Sequence, residues 1–251
     1  MKATVIIPTT GSKDVKRAIE SVLNQSIPTI CYLVCDGEEN YGKTKVISDE
    51  FGGNVLFKKS FLPINVGSDG FYGHRIYAAF SHLVNTEYVL YLDQDNWFNN
   101  NHVESCIETI KSQNLDWSYS LRNIYTKDHL FVCEDNCESL GKWKTFMNTH
   151  LIDTNCYCLK TEVAAKVASV WHGKWGQDRV FLHTMMQHFP RFDCTNNYTV
   201  NYSLGGNEGS VKKEFFIQGN KLMNDFYNGE FPWKKRKTYL SEPTQTITII
   251  S

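Results

Sequence analysis

No apolar run in the 251-residue sequence approaches the ~20 residues that a membrane-spanning helix needs. The opening stretch MKATVIIPTTGS carries one lysine and a short apolar run that stops at a proline, too little for a secretory signal. The expectation is a protein with no transmembrane segment, in the cytoplasm. A basic surplus is also missing. Lys+Arg number 26 against 27 Asp+Glu, a formal net charge of -1, which argues against a general nucleic-acid partner. Eight cysteines are present, but none stands in the C-x-x-C spacing of a zinc site, so buried or free thiols are expected. Internal repeats and low-complexity linkers are absent. With 41% hydrophobic and 14% aromatic residues, the chain has the material for one sizeable core.

What is there is an alternation. ATVIIP reads as a buried β-branched strand. The helix that follows has Val15, Ala18, Ile19, Val22 and Leu23 at helical spacing and Ser12 as its expected N-cap. TICYLVCDG is a second strand, GKTKVISDEFGG a second helix and NVLFKKS a third strand. A Gly-rich loop, a helix over HRIYAAFSHLV and a strand over EYVLYL complete a β-α-β-α-β-α-β series. Strands this uniformly apolar predict an α/β fold, with a mostly parallel central sheet flanked by helices. Further on, the pattern weakens into a helix over 99–114, two strands with a turn over 116–133, and a strand and helix over 154–171. A helix over 175–189, a strand over 196–204 and a late helix over 209–229 follow. This half is expected to be a mixed extension of the same sheet. Ligands of such sheets bind beyond the carboxyl ends of the strands. Pro8-Thr9-Thr10, Asp36-Gly37 and Asp93-Gln94-Asp95 therefore belong on one rim.

The last of these ends a buried strand on two aspartates. Their plainest role is as turn or capping residues. Two close ionised carboxylates repel, however, and a hard divalent cation that also takes substrate phosphates would relieve the repulsion. Such a site suits the departure of a nucleoside diphosphate, on which negative charge grows.

Five stretches in this order, VIIPTTG, VCDG, NVGSDGFYGHR, YLDQDN and WGQDRVF, make the chain resemble the inverting glycosyltransferases of family 2, which have the GT-A fold. The resemblance covers most of residues 1 to 185. It implies a single domain over 1–251, with residues 1–100 binding the nucleotide sugar and 101–251 forming the acceptor half and C-terminal helix. It implies that Pro8, Thr9 and Thr10 line the nucleotide, that Asp36 accepts a hydrogen bond from the base, and that Asn65, Gly67 and Arg75 line the nucleotide or diphosphate pocket. Asp93 and Gln94 lie on the same nucleotide-sugar side, and Asp93 and Asp95 hold Mn²⁺ or Mg²⁺. The alternative for Arg75 is a surface salt bridge. The catalytic base would be Asp178, in a position that also suits the N-terminus of a helix. Its neighbour Gln177 stands where the family has a glutamate. It cannot act as a base but can hydrogen-bond a sugar.

Trp143, Trp171 and Trp175 are aromatics that could stack on an acceptor or pack in the core. Trp175, beside Asp178, is the preferred acceptor contact together with Gln177. The late histidine that many GT-A enzymes give to the metal is not found around Gly205, Gly206 and Asn207. Water or His150, His183 or His188 could take that place, and the glycines suggest a mobile lid. The Q-x-x-R-W signature of processive synthases is missing, which favours transfer of one sugar. The expected donor is a nucleoside-diphosphate sugar, with a UDP-sugar favoured. The acceptor is expected to be glycan, lipid-linked or protein-linked, and the basic stretch PWKKRK leaves peripheral membrane contact open. Two rivals remain: a non-catalytic nucleotide-sugar or glycan binding protein, and a sugar nucleotidyltransferase, whose Gly-rich N-terminal loop is poorly matched by PTTGSKDVKRA.

Overall fold

The computed structural model describes residues 2–205 and 211–234. Its first half is the expected alternation: β1 (Ala3–Thr9), α1 (Val15–Leu23), β2 (Thr29–Cys35), α2 (Tyr41–Asp49), β3 (Phe57–Phe61), α3 (His74–Phe80) and β4 (Tyr88–Tyr91). Every residue of β1 is buried. Val15, Ala18, Ile19 and Val22 are the buried stripe of α1, and each large aliphatic side chain there contributes about 1.5–3 kcal/mol by leaving water. The second half contains β5 (Trp97–Phe98), α4 (His102–Ser112), β6 (Trp117–Tyr125), β7 (Phe131–Glu134), β8 (Tyr157–Lys160), α5 (Thr161–Val167), α6 (Gln177–His188), β9 (Phe192–Ser203) and α7 (Lys213–Phe226).

One sheet joins the two halves in the order β3-β2-β1-β4-β8-β6-β9-β5, with β7 attached to β6. The β3-β2-β1-β4 part is wholly parallel. Beyond β4 it is mixed: β8 is antiparallel to both β4 and β6, and β9 is parallel to β6. The parallel register places the polar strand ends together. Thr9 pairs with Cys35, and the Asp36 N–H continues the ladder to the Thr9 carbonyl at 2.9 Å. On the other side of β1, the Leu92 N–H reaches the Ile6 carbonyl at 3.0 Å, so Asp93 emerges beside the end of β1. Successive strands lie on opposite sides of β1, and the crevice opens where that order switches.

An aromatic cluster seats α6 on the sheet. Trp171 stacks on Phe181 at 4.0 Å and meets Tyr91 edge-on at 5.4 Å. Trp171 is fully buried, so it is a core residue and cannot meet an acceptor. Trp143 likewise packs on the buried Trp233 at 5.5 Å. All eight cysteines are free, and seven are buried.

Local boundaries differ from expectation where short-range polar bonds compete with the regular pattern. Ser12 does not cap α1. Its hydroxyl accepts the Asp14 N–H at 3.3 Å, and the helix starts at Val15 without a side-chain cap. The third strand begins at Phe57 because Asn54 Oδ1 takes the Leu56 N–H at 2.9 Å and holds a turn there. The two-residue β5 was not anticipated in its asparagine-rich surroundings. It exists because Trp97 and Phe98 pair with Asn201 and Val200 of β9.

Candidate active site

A cleft of about 480 Å³ opens over the carboxyl ends of β1, β2 and β4. Pro8, Thr9, Thr10, Asp36, Asn65, Gly67, Asp93, Gln94 and Asp95 line it from the parallel half, and Trp175 and Asp178 from the mixed half. Arg75 and Gln177 are not in the lining. The Arg75 guanidinium lies 3.4 Å over the Phe71 ring and donates to the Val66 carbonyl at 3.3 Å. It is thus committed to the loop, in neither the pocket nor a surface ion pair. The Gln177 amide donates to the Val170 carbonyl and packs against Gly173, on the far side of its helix turn.

Gln94 binds the rim together. Its Oε1 accepts from the Thr9 hydroxyl at 2.7 Å and the Thr10 N–H at 3.1 Å, and its Nε2 donates to Thr10 Oγ1 at 3.2 Å. Asp36 organises the neighbouring loop. Its carboxylate accepts the Val66 N–H at 2.7 Å and the Gly67 N–H at 2.9 Å. Burial raises the Asp36 pKa, and these two bonds partly restore the charged form. Gly67 is required by proximity, since a Cβ there would lie 2.7 Å from Asp36 Oδ2. Asn65 donates to Glu39 Oε1 at 2.8 Å and holds the loop's outer edge.

The aspartate pair divides into a bound and an open member. Asp93 is held by Tyr77 and Asn155, which donate to its two oxygens at 2.8 and 2.9 Å. Among the described residues, the Asp95 carboxylate makes no ion pair; it accepts from its own backbone N–H and feels the charge of nearby Arg17. Burial and the adjacent Asp93 push its pKa up to about 7. Neither carboxylate has a Lys or Arg partner among the described residues. Arg17 approaches this turn, but it donates to the Asp95 carbonyl at 2.9 Å while stacking 3.7 Å over Trp97.

Two carboxylates without an ion-paired Lys or Arg fit a hard divalent cation that takes its remaining ligands from diphosphate and water. No group of three or more His, Cys, Asp or Glu side chains among the described residues could hold a metal. His150 is engaged with the Gly141 carbonyl at 2.8 Å, and His183 and His188 lie on α6 outside the cleft lining. Gly206 and Asn207, read as the place of a missing ligand and a lid, fall outside the described residues, as do Lys235, Arg236 and Lys237 of the basic stretch.

Asp178 is the second residue of α6. Gly176 adopts φ +84°, a left-handed turn that swings the chain from Trp175 into the helix. Asp178 Oδ1 accepts the Arg179 N–H at 2.9 Å, so the residue serves the helix end and faces the cleft at once. Burial raises its pKa, and Arg179 opposes that shift. Trp175 is 77% exposed at the mouth, with the Arg179 guanidinium 5.5 Å from its ring.

The floor of the mixed half was not foreseen. Arg122, inside β6, donates Nε to Asp135 at 2.8 Å, Nη1 to Asp153 at 2.6 Å and Nη2 to Glu138. Glu138, Asp153 and Arg122 all reach the cleft, as does His74, whose ring nitrogen bonds the Gly173 carbonyl at 2.8 Å. An arginine in the buried strand SYSLRNIY is the one signal that could have revealed the array, because a buried guanidinium requires carboxylates.

A parallel sheet with an acid pair on its carboxyl edge, continued by a mixed half that presents another acid to the same cleft, is the GT-A arrangement of glycosyltransferases. The chain belongs to glycosyltransferase family 2: the model described as "Glycosyl transferase family 2" matches residues 4–132, more than half of it. Solved structures with this fold include S. aureus TarS residues 1–349, at TM-score 0.62 and 17% identity, covering 81% of this chain and 60% of that one. The same TarS fragment in complex with UDP-GlcNAc superposes at TM-score 0.64 and 16% identity, covering 92% of this chain and 68% of that one. Its complex with UDP superposes at 0.62 and 16%, with 92% and 67% covered. The chain thus spans 60% of the first of these structures. No curated protein matches the chain.

Proposed function

We propose that this glycosyltransferase moves one sugar from a nucleoside-diphosphate sugar, with a UDP-sugar favoured, to a hydroxyl of a glycan, lipid-linked or protein-linked acceptor. Transfer inverts the anomeric carbon and depends on Mn²⁺ or Mg²⁺. The observation that carries this reading is the meeting of Asp95, which makes no ion pair among the described residues, with Asp178 in one cleft. TarS, a structural neighbour, has been solved with UDP and UDP-GlcNAc, which supports a uridine donor here.

Residues 1–100 serve the donor and 101–251 the acceptor. Pro8, Thr9 and Thr10 flank the nucleotide, and Asp36 accepts an N–H from the base while its two backbone bonds keep it in place. Asn65, Gly67 and Gln94 shape that wall. A cation held by Asp93 and Asp95 would supply charge neutralisation of the departing diphosphate. Asp178 accepts the proton of the acceptor hydroxyl as its oxygen attacks, and its raised pKa makes it a stronger base than an exposed aspartate. Trp175 offers an exposed ring face to the acceptor. Gln177 has no direct part, because its amide is spent on Val170. Its replacement of glutamate is therefore weak support for a non-catalytic reading. No helix among the described residues is long and apolar enough to cross a membrane.

The test is nucleoside-diphosphate release from UDP-, GDP- and dTDP-sugars, with Mn²⁺ or EDTA, for wild type and Asp178→Asn. Donor-selective, EDTA-sensitive release is expected, with acceptor-dependent turnover falling about 10²–10⁴-fold in Asp178→Asn. If the protein neither releases nor binds any of these nucleotides, the proposal is overturned.

A further inference from the structure

Asp93 is bounded by more hydrogen bonds than a turn aspartate needs. Asn155, fully buried in the turn before β8, makes three bonds with its side-chain amide. Its Oδ1 accepts the Asp93 N–H at 2.6 Å, and its Nδ2 donates to Asp93 Oδ2 at 2.9 Å and to Asp153 Oδ1 at 2.7 Å. Tyr77, buried in α3, donates to the other Asp93 oxygen at 2.8 Å. Asp153 in turn is gripped by Arg122 at 2.6 Å.

The outer torsion of an aspartate is normally broad. Here two donors on different oxygens, one from each side, leave the carboxylate a single orientation. The amide's own orientation is also unique. Reversing it would set its oxygen against two carboxylates and its NH₂ against a backbone N–H. A buried amide between two acids costs desolvation that an apolar residue would avoid, so its gain lies in orientation. The bonds also span the molecule: Tyr77 and Asp93 belong to the parallel half, Asn155 and Arg122 to the mixed half.

We propose that Asn155, assisted by Tyr77, is a positioning residue that aims the Asp93 carboxylate for the cation and registers the donor side of the cleft against the Arg122 array. This rests on the proposed cation site at Asp93 and Asp95. Partners of metal ligands commonly change metal affinity by about 10–100-fold when removed.

The test is calorimetric titration of Mn²⁺ into the protein with saturating UDP, for wild type, Asn155→Ala and Tyr77→Phe, alongside UDP binding without metal and the melting temperature. Tyr77→Phe removes only the hydroxyl and keeps the ring against Tyr91 and Trp171. It decides the matter alone if Asn155→Ala does not fold. Each variant is expected to bind Mn²⁺ at least about tenfold more weakly, with metal-free UDP binding within about twofold of wild type. Wild-type Mn²⁺ affinity in the variants, whatever their melting temperatures, would overturn this proposal and leave the cation site standing. Wild type that takes up no Mn²⁺ with UDP would overturn both.

Discussion

The two halves of the cleft treat buried acid in opposite ways. On the mixed side, Asp135, Glu138 and Asp153 converge on one guanidinium, so the excess of acid is offset by Arg122 and by backbone N–H groups. On the parallel side, Asp93 and Asp95 make no ion pair with Lys or Arg among the described residues: Asp93 is held by neutral donors, and Arg17 acts on Asp95 only through its charge from the far side of the turn. The first arrangement has a cation built into the fold. The second is left short of positive charge, and burying uncompensated carboxylates is costly. A protein tolerates that cost where a ligand supplies the missing charge, and strained electrostatics of this kind cluster at functional sites. The difference separates the acids that hold the molecule together from those that wait for a partner.

The strongest way to break this contrast is Arg122→Met. It leaves buried Asp135 and Glu138 and partly buried Asp153 without their cation and should destabilise the protein by about 3–5 kcal/mol at pH 7, read by urea denaturation. A loss under about 1 kcal/mol would mean that the array is not held by its charge pairs. Gly67→Ala comes next. The added Cβ collides with the Tyr72 carbonyl and with Asp36, so about 1–3 kcal/mol of stability and most nucleotide affinity should be lost together. Unchanged UDP binding would show that the Asp36 loop does not shape the nucleotide wall.

Asp95→Asn sharpens the comparison through pH. The Asp95 pKa is raised to about 7 in the folded protein, whereas an unfolded aspartate titrates near ~3.9. The folded state therefore holds a proton that the unfolded chain has lost, and metal-free stability should fall as pH rises from about 4 to 7. Asp95→Asn should flatten that slope, melt higher than wild type at pH 8 and match it at pH 4. In wild type, Mn²⁺ with UDP should recover the loss at pH 8. Identical pH profiles for the two proteins would remove Asp95 from the uncompensated side. The smallest effect is expected for Trp175→Ala. Its ring is mostly in solvent, so stability should stay within about 0.5 kcal/mol while the acceptor KM rises and the donor KM does not. A rise in donor KM would move Trp175 to the other side of the cleft.

Much of the donor side was legible because its signals are local. Thr9, Asp36 and Asp93 each end an apolar strand, and parallel strands must end together on one edge. Asp178 was readable for a similar reason, lying just after a Gly turn and before a helix. Arg75 and Gln177 were misplaced because their neighbours in space, Phe71 and Val170, could not be read from strand or helix period. Trp143, Trp171 and Trp175 look alike in sequence, yet only Trp175 is exposed, since burial depends on what packs from elsewhere.

The order of strands and helices, the rim of polar strand ends and the spacing of its acids follow from the chain alone, because hydrophobic period and turn chemistry act over a few residues. Which acids are paired and which stay open was decided only in three dimensions. Arg122 meets Asp135, Glu138 and Asp153 from 13, 16 and 31 residues away, and Asn155 reaches Asp93 across 62. Charge is settled between neighbours in space, and a single sequence does not display those neighbours until the sheet has brought them together.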